Sequence, residues 1–103
     1  MSDYYDKDGR CVNLEEYNKL YQIKNYKFVH DTTTKEGYWI STVWIGLDYS
    51  FGKGSPMIFE TMIFPCKGEG GELYMNRYHT VEEAKKGHQY VVDNYKKLIN
   101  KYV

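Results

Sequence analysis

The stretch Tyr38–Leu47 (YWISTVWIGL), followed by Asp48–Pro56 (DYSFGKGSP) and Met57–Phe64 (MIFETMIF), decides the fold. Its two outer segments are rich in β-branched and aromatic residues, and the segment between them carries glycines. Two such runs around a turn-rich loop are typical of an antiparallel hairpin. Successive side chains of a strand point to opposite sides, so both faces of this hairpin are largely apolar. We therefore expect it at the centre of a small sheet that is covered, at least in part, on both faces.

The composition bounds the class of protein. A chain of 103 residues has the length of one domain, residues 1–103, with one modest core. Its 14 lysines and arginines balance 14 aspartates and glutamates, which argues against nucleic acid as a partner. No window is apolar enough for a membrane span, and the first residues do not form a signal peptide, so we expect a cytoplasmic protein. Cys11 and Cys66 form no CxxC pair and are expected to remain thiols.

Weaker patterns on both sides of the hairpin predict further elements. Asp8-Gly9 predicts a turn near the N-terminus, within a short hairpin or an extended arm. Asn13 is a helix cap followed by two carboxylates, which predicts a short helix over Leu14–Tyr21. Alternating residues over Lys24–Thr32 predict a first strand, and Glu72–Tyr78 is expected to form the fourth.

A long helix is predicted at the C-terminus. The sequence Thr80-Val81-Glu82-Glu83 is typical of a capping box, and it opens a helix over about Val81–Lys101. Apolar and half-apolar residues recur along it at steps of three and four and form one stripe: Val81, Ala84, His88, Val91, Tyr95, Leu98 and Tyr102, widened by Val92 and Ile99. The stripe favours packing on a sheet, and a coiled coil is the alternative.

Together these elements predict an α+β fold. We expect an antiparallel sheet of about four strands, with a short N-terminal helix and a long C-terminal helix packed on one face. If the short helix covers less of the sheet than the long one, the opposite face keeps an exposed aromatic patch. Such a patch is a candidate binding site.

No complete catalytic or metal-ligand set is recognisable in the sequence. The loop Ser50–Ser55 (SFGKGS) is superficially similar to a phosphate loop, but that motif precedes a helix and this one precedes a strand. We interpret it as a hairpin loop, with anion binding by Lys53 and the loop amides as the alternative. The histidines lack metal-ligand spacing: His30, His79 and His88. We predict no catalytic residues, no metal and no cofactor.

Two positions of the C-terminal helix are expected to serve its packing. His88 falls in the apolar stripe, where a hydrogen-bonded core histidine is the favoured interpretation over a ligand or a base. Gly87 beside it is expected to allow a close approach between helix and sheet.

Glu60 is the most informative polar residue of the hairpin. A carboxylate in an apolar strand must be paired, hydrogen-bonded, exposed or protonated. We expect either a binding role or a structural pairing with Lys, Arg, Ser41 or Thr42. Asp48 ends the preceding strand, and the two carboxylates could meet across the hairpin for acid/base chemistry or for a divalent cation.

The chain resembles a family of small phage and prophage proteins. The resemblance rests on the pattern WxSTVWxGLD…FG…P.IFETM.F…RYxTxEEAxxGH, which here covers Trp39–Asp48, Phe51-Gly52, Pro56, Ile58–Phe64 and Arg77–His88. It spans about residues 38–88, and loosely the N-terminal YYDKDG and LEEY. Tyr49 stands where the family has a histidine, which argues against an indispensable ligand or base there. The resemblance implies a viral or prophage origin, not an activity.

Three functions remain open from the sequence. The first is a non-enzymatic binding protein in the host cytoplasm, which engages a host protein, as a defence-system inhibitor of anti-CRISPR type does, or a small nucleotide ligand. Its predicted contact residues are Trp44, Asp48, Tyr49, Phe51, Lys53 and Glu60. The second is a small metal-dependent hydrolase or nucleotide-processing enzyme that uses Asp48 and Glu60, with Mg²⁺ or His79. The third is a structural phage component or homodimer, joined through a sheet edge or face.

Overall fold

A four-stranded antiparallel sheet with a long helix on one face organises the fold. The structure, a computed structural model, describes residues 4–48, 50, 54–67 and 70–100. Its elements are β1 (Tyr4–Tyr5), β2 (Cys11–Val12), α1 (Leu14–Gln22), β3 (Phe28–Thr33), β4 (Trp39–Trp44), β5 (Phe59–Phe64), β6 (Tyr74–Tyr78) and α2 (Val81–Asn100). The sheet runs β3-β4-β5-β6, and β1 pairs with β2 separately. The predicted α+β fold is confirmed.

α2 contacts all four strands of the sheet from one side. β4 and β5 present six buried side chains to this side, paired across the strands: Ile40 with Ile63, Thr42 with Thr61, and Trp44 with Phe59. The buried residues of α2 follow the predicted stripe: Ala84, His88, Val91, Leu98 and Ile99. Neither described helix is long and apolar enough to cross a membrane.

The N-terminal elements close the end of this core near Trp44. Asn13 and Glu16 form a reciprocal capping box that begins α1. The Tyr17 hydroxyl donates to the carbonyl of Ile45 over 2.9 Å, and its ring lies 5.5 Å from the Trp44 ring. α1 therefore packs on the side that α2 covers. No described helix or strand packs on the opposite face, although partial cover of both faces was expected.

β4 is shorter than the predicted strand because the chain bends at Gly46. This residue has φ of 70°, a conformation that favours glycine. A Cβ atom there would lie 2.6 Å from ring atoms of both Trp44 and Tyr17. The amides of Ile45 and Gly46 both donate to the carbonyl of Ile58, at 2.8 and 3.2 Å. Regular pairing ends there, and the Gly46 carbonyl accepts from Tyr5 instead, at 2.9 Å.

Candidate functional site

The sheet face opposite α2 is the candidate site, and the strand register defines it. Trp39 pairs with Phe64 across β4 and β5, and Val43 pairs with Glu60. Met62 and Glu60 continue the same face to Met75 and Arg77 of β6. We call this surface the open face: Trp39, Ser41, Val43, Glu60, Met62, Phe64, Met75 and Arg77. Five of the eight side chains are apolar and partly exposed, so the open face is a largely apolar surface, and no helix or strand of the described residues packs on it.

Glu60 and Arg77 form an ion pair in the open face. Arg77 Nε lies 3.1 Å from Glu60 Oε2, and the two side chains are 26% and 11% exposed. Of the four structural partners expected for Glu60, an arginine is therefore the one present in this ion pair. Because the pair is already largely withdrawn from water, a partner that covered it would add little further desolvation cost.

Trp39 is held in place from three directions at one end of the open face. Its ring stacks on Phe64 with centroids 5.4 Å apart and planes 30° from parallel. Its Nε1 donates to Asp31 Oδ2 over 3.1 Å, and Lys67 Nζ lies 5.6 Å from the ring centroid. A large ring fixed in one orientation loses little freedom on binding, which suits an anchor residue.

A groove runs from Trp39 along the edge strand β3. Its volume is about 500 Å³, and its lining includes Phe28, Val29, His30, Asp31, Trp39 and Lys67. Phe28 is one of the large apolar side chains exposed to solvent. The groove extends the open face to the edge of the sheet. It is concave, and its lining contains one acidic and one basic side chain, Asp31 and Lys67.

The sequence-predicted contact residues do not all meet at one place. Trp44 is 1% exposed; its Nε1 donates to the Tyr5 carbonyl over 3.0 Å, so its ring supports the core rather than the surface. Glu60 lies on the open face. Tyr49, Phe51 and Lys53 lie outside the described residues. Their role as contact residues stays a prediction.

Asp48 and Glu60 are not brought together. Glu60 pairs across the strands with Val43, and Asp48 lies five residues beyond Val43 in the chain. Asp48 Oδ1 accepts hydrogen bonds from the amides of Ser50 and Met57, at 2.7 and 3.4 Å. The hydrogen bonds from Ser50 lower the pKa of Asp48. Asp48 thus holds its loop, while Glu60 pairs with Arg77.

The described ranges contain no group of three or more His, Cys, Asp or Glu side chains that could hold a metal ion. His79 is engaged as well, because its Nδ1 donates to the carbonyl of Pro56 over 3.1 Å. What the described residues do provide is a surface for contact, with one ion pair and one fixed tryptophan.

Sequence reasoning missed Trp39 and Arg77. Alternation along β4 places Trp39 and Trp44 on opposite faces of the sheet. Because both faces are apolar in the sequence, the pattern does not predict which face α2 covers. The cross-strand position of Arg77 depends on the register between β5 and β6, which the sequence did not fix. Comparison with protein-family models, curated proteins and solved structures gives no match for this chain.

Proposed function

We propose that this protein is a non-enzymatic binding module and that the open face is its contact surface. The single observation behind the proposal is that a largely apolar sheet face, with Trp39 fixed on it, has no described element packed against it. Exposed apolar surfaces of this kind mark interaction sites in folded proteins.

The distribution of groups on the open face resembles that of a protein–protein interface. Such interfaces combine an apolar centre, aromatic anchors and arginine with a polar rim. Here the methionines Met62 and Met75 stand opposite each other at the centre, and methionine adapts its shape to a partner. The Glu60–Arg77 pair can orient a partner, because polar groups that complement these two fixed charges are favoured over groups that repel them.

The proposed partner is a host protein, engaged in the host cytoplasm during phage infection. The resemblance of residues 38–88 to small phage and prophage proteins supports this setting, since accessory proteins of phages often modulate host machinery, defence systems included. A small nucleotide ligand and a second copy of the chain are the other occupants to be distinguished by experiment.

The test compares two lysine substitutions. Met62→Lys places a charge in the centre of the open face, whereas Tyr90→Lys places the same charge on α2, where Tyr90 is 50% exposed and outside the proposed surface. Tagged wild-type protein and both variants are used for capture from host lysate, with quantitative mass spectrometry and a thermal melt of each variant.

The proposal expects a stoichiometric host protein with the wild type and with Tyr90→Lys, and at least a tenfold loss with Met62→Lys at an unchanged melting temperature. Retention of that protein by Met62→Lys would contradict the assignment of the open face. Recovery of only a nucleotide or a second copy of the chain would contradict the host-protein partner.

A further inference from the structure

A polar layer crosses the core between α2 and the sheet. It consists of Thr32, Thr42, Thr61 and His88, and it separates two apolar clusters. One cluster contains Ile40, Ile63 and Val91, and the other contains Trp44, Phe59 and Ala84. His88 is 2% exposed, and Thr42 and Thr61 are fully buried. The predicted core histidine is present, and it is the centre of this layer.

Both ring nitrogens of His88 are hydrogen-bonded to hydroxyl groups. Nδ1 lies 2.7 Å from Thr42 Oγ1 and Nε2 lies 2.9 Å from Thr32 Oγ1. Thr42 Oγ1 lies in turn 2.5 Å from Thr61 Oγ1. A neutral imidazole donates from one nitrogen and accepts at the other, and a hydroxyl can do both. The neutral ring therefore satisfies the layer, and no carboxylate takes part in it.

The charged and titratable groups around His88 do not compensate a positive charge on its ring. From β3, the His30 ring lies edge-on at 4.5 Å. From α2, Lys85 lines the same cavity of about 260 Å³ as His30, His88 and Gln89. From β6, Tyr78 is neutral at acid pH, as a phenol ordinarily is, and burial raises its pKa further. β4 and β5 contribute only the threonine hydroxyls.

Among the described residues, Asp31 of β3 is the carboxylate that favours a positive charge on His88, and its effect is the smallest of those that act on the ring. It pairs with Ser41 on the open-face side of the sheet and accepts from Trp39 Nε1. The pKa of His88 is lowered to about 4, chiefly by burial and secondly by the coulombic effect of His30. Asp31 raises this pKa, but by a smaller amount. Burial between apolar clusters and the lowered pKa both favour a neutral His88 in the folded protein above about pH 4.

We propose that His88 makes the docking of α2 on the sheet sensitive to acid: when its imidazole takes up a proton, the contact between α2 and the sheet is weakened. The proton comes from solvent, through the cavity beside His30 and Lys85. The charged ring then lies between two apolar clusters with no carboxylate hydrogen-bonded to it among the described residues, and full hydration of the ring requires the helix to move away from the sheet.

The direction of the pH effect follows from proton linkage. The pKa of His88 in the fold, about 4, lies below the ordinary 6.5, so the unfolded chain binds more protons between these values. Stability is thus fully present above pH 6.5 and is lost as the pH falls toward 4. For this pKa difference, the unfolding equilibrium constant rises about 20-fold from pH 7 to pH 5.

Carboxylates act in a different pH range. The pKa of Glu36 is lowered from 4.5 to about 2, chiefly by the hydrogen bond from Tyr95. The pKa of Asp48 is also lowered from its ordinary value of 3.8. Their contributions are lost below about pH 4.5. A comparison of pH 7 with pH 5 therefore reports chiefly on histidine.

The experiment measures urea unfolding of the full chain at pH 7 and pH 5, for the wild type, His88→Gln and His30→Gln. Glutamine keeps a donor and an acceptor but does not titrate in this range. The wild type is expected to show the 20-fold change, and His88→Gln a change of less than about threefold. His30→Gln is expected to lie between them, because removal of the coulombic effect of His30 raises the pKa of His88.

An equal pH effect in the wild type and His88→Gln would overturn the proposal. If His88→Gln does not fold, the imidazole signals of the wild type in a ¹⁵N NMR titration decide the question. A His88 ring that stays neutral until α2 signals shift supports the proposal. Protonation of His88 near pH 6.5 with unchanged α2 signals overturns it.

Discussion

Gly87 permits a close approach between α2 and Tyr78 of the sheet. A Cβ atom at this position would collide with the ring and hydroxyl of Tyr78, which confirms the sequence-based expectation for this glycine. In an exposed helix, glycine to alanine stabilises by about 1 kcal/mol. Here we predict the opposite sign: Gly87→Ala lowers the free energy of unfolding by about 1–3 kcal/mol through overpacking, as measured by urea denaturation.

The control for Gly87→Ala is Lys86→Ala, an exposed neighbour on the same helix. It should change the free energy of unfolding by less than about 0.5 kcal/mol. A stabilising Gly87→Ala would show that α2 does not press against Tyr78.

Arg77 and Glu60 should be coupled in stability. Arg77→Ala leaves the Glu60 carboxylate, whose side chain is 11% exposed, without its guanidinium partner. We predict a loss of about 1–2 kcal/mol for Arg77→Ala, and a smaller loss for the double variant Glu60→Met/Arg77→Met, which removes both charges together. The free energies of unfolding of the two variants are compared by chemical denaturation. A double variant that is the less stable of the two would speak against a desolvated pair.

At the level of elements, the start of α2 depends on its cap. The Thr80 hydroxyl accepts from the Glu83 amide at 3.1 Å, as the capping box predicted, but the Glu83 carboxylate accepts from the His79 amide at 3.0 Å. We predict that Thr80→Ala costs about 1 kcal/mol and that Thr80→Ser is nearly neutral. Thermal unfolding of the two variants side by side is the measurement, and equal losses would contradict a capping role.

The elements also show what the sequence could and could not predict. The hairpin, both helices and the stripe of α2 were predictable because they depend on local spacing and caps. The open face was not assignable, since Trp39 and Trp44 lie in one strand whose two faces are both apolar. Which tryptophan α2 buries depends on packing between distant segments, and likewise the pairing of Glu60 with Arg77 depends on strand register.

For the whole molecule, we propose different tasks for the two faces of the sheet. α2, α1 and the polar layer occupy one face, to which we assign the pH-dependent part of the stability. The other face is the proposed contact surface. The balanced charge of the chain, 14 against 14, gives no strong long-range field, so partner choice is expected to depend on shape and on the few groups of the open face.

The methionines provide the most direct test of this division. Met62 and Met75 pair on the open face, whereas Met57 precedes β5 beside Asp48. The decisive measurement is the ¹³C-methyl NMR spectrum of methionine-labelled protein, recorded with and without the captured partner. We predict that the Met62 and Met75 signals shift or broaden on binding and that the Met57 signal does not. Unchanged Met62 and Met75 signals in a bound complex would contradict the open face as the contact surface.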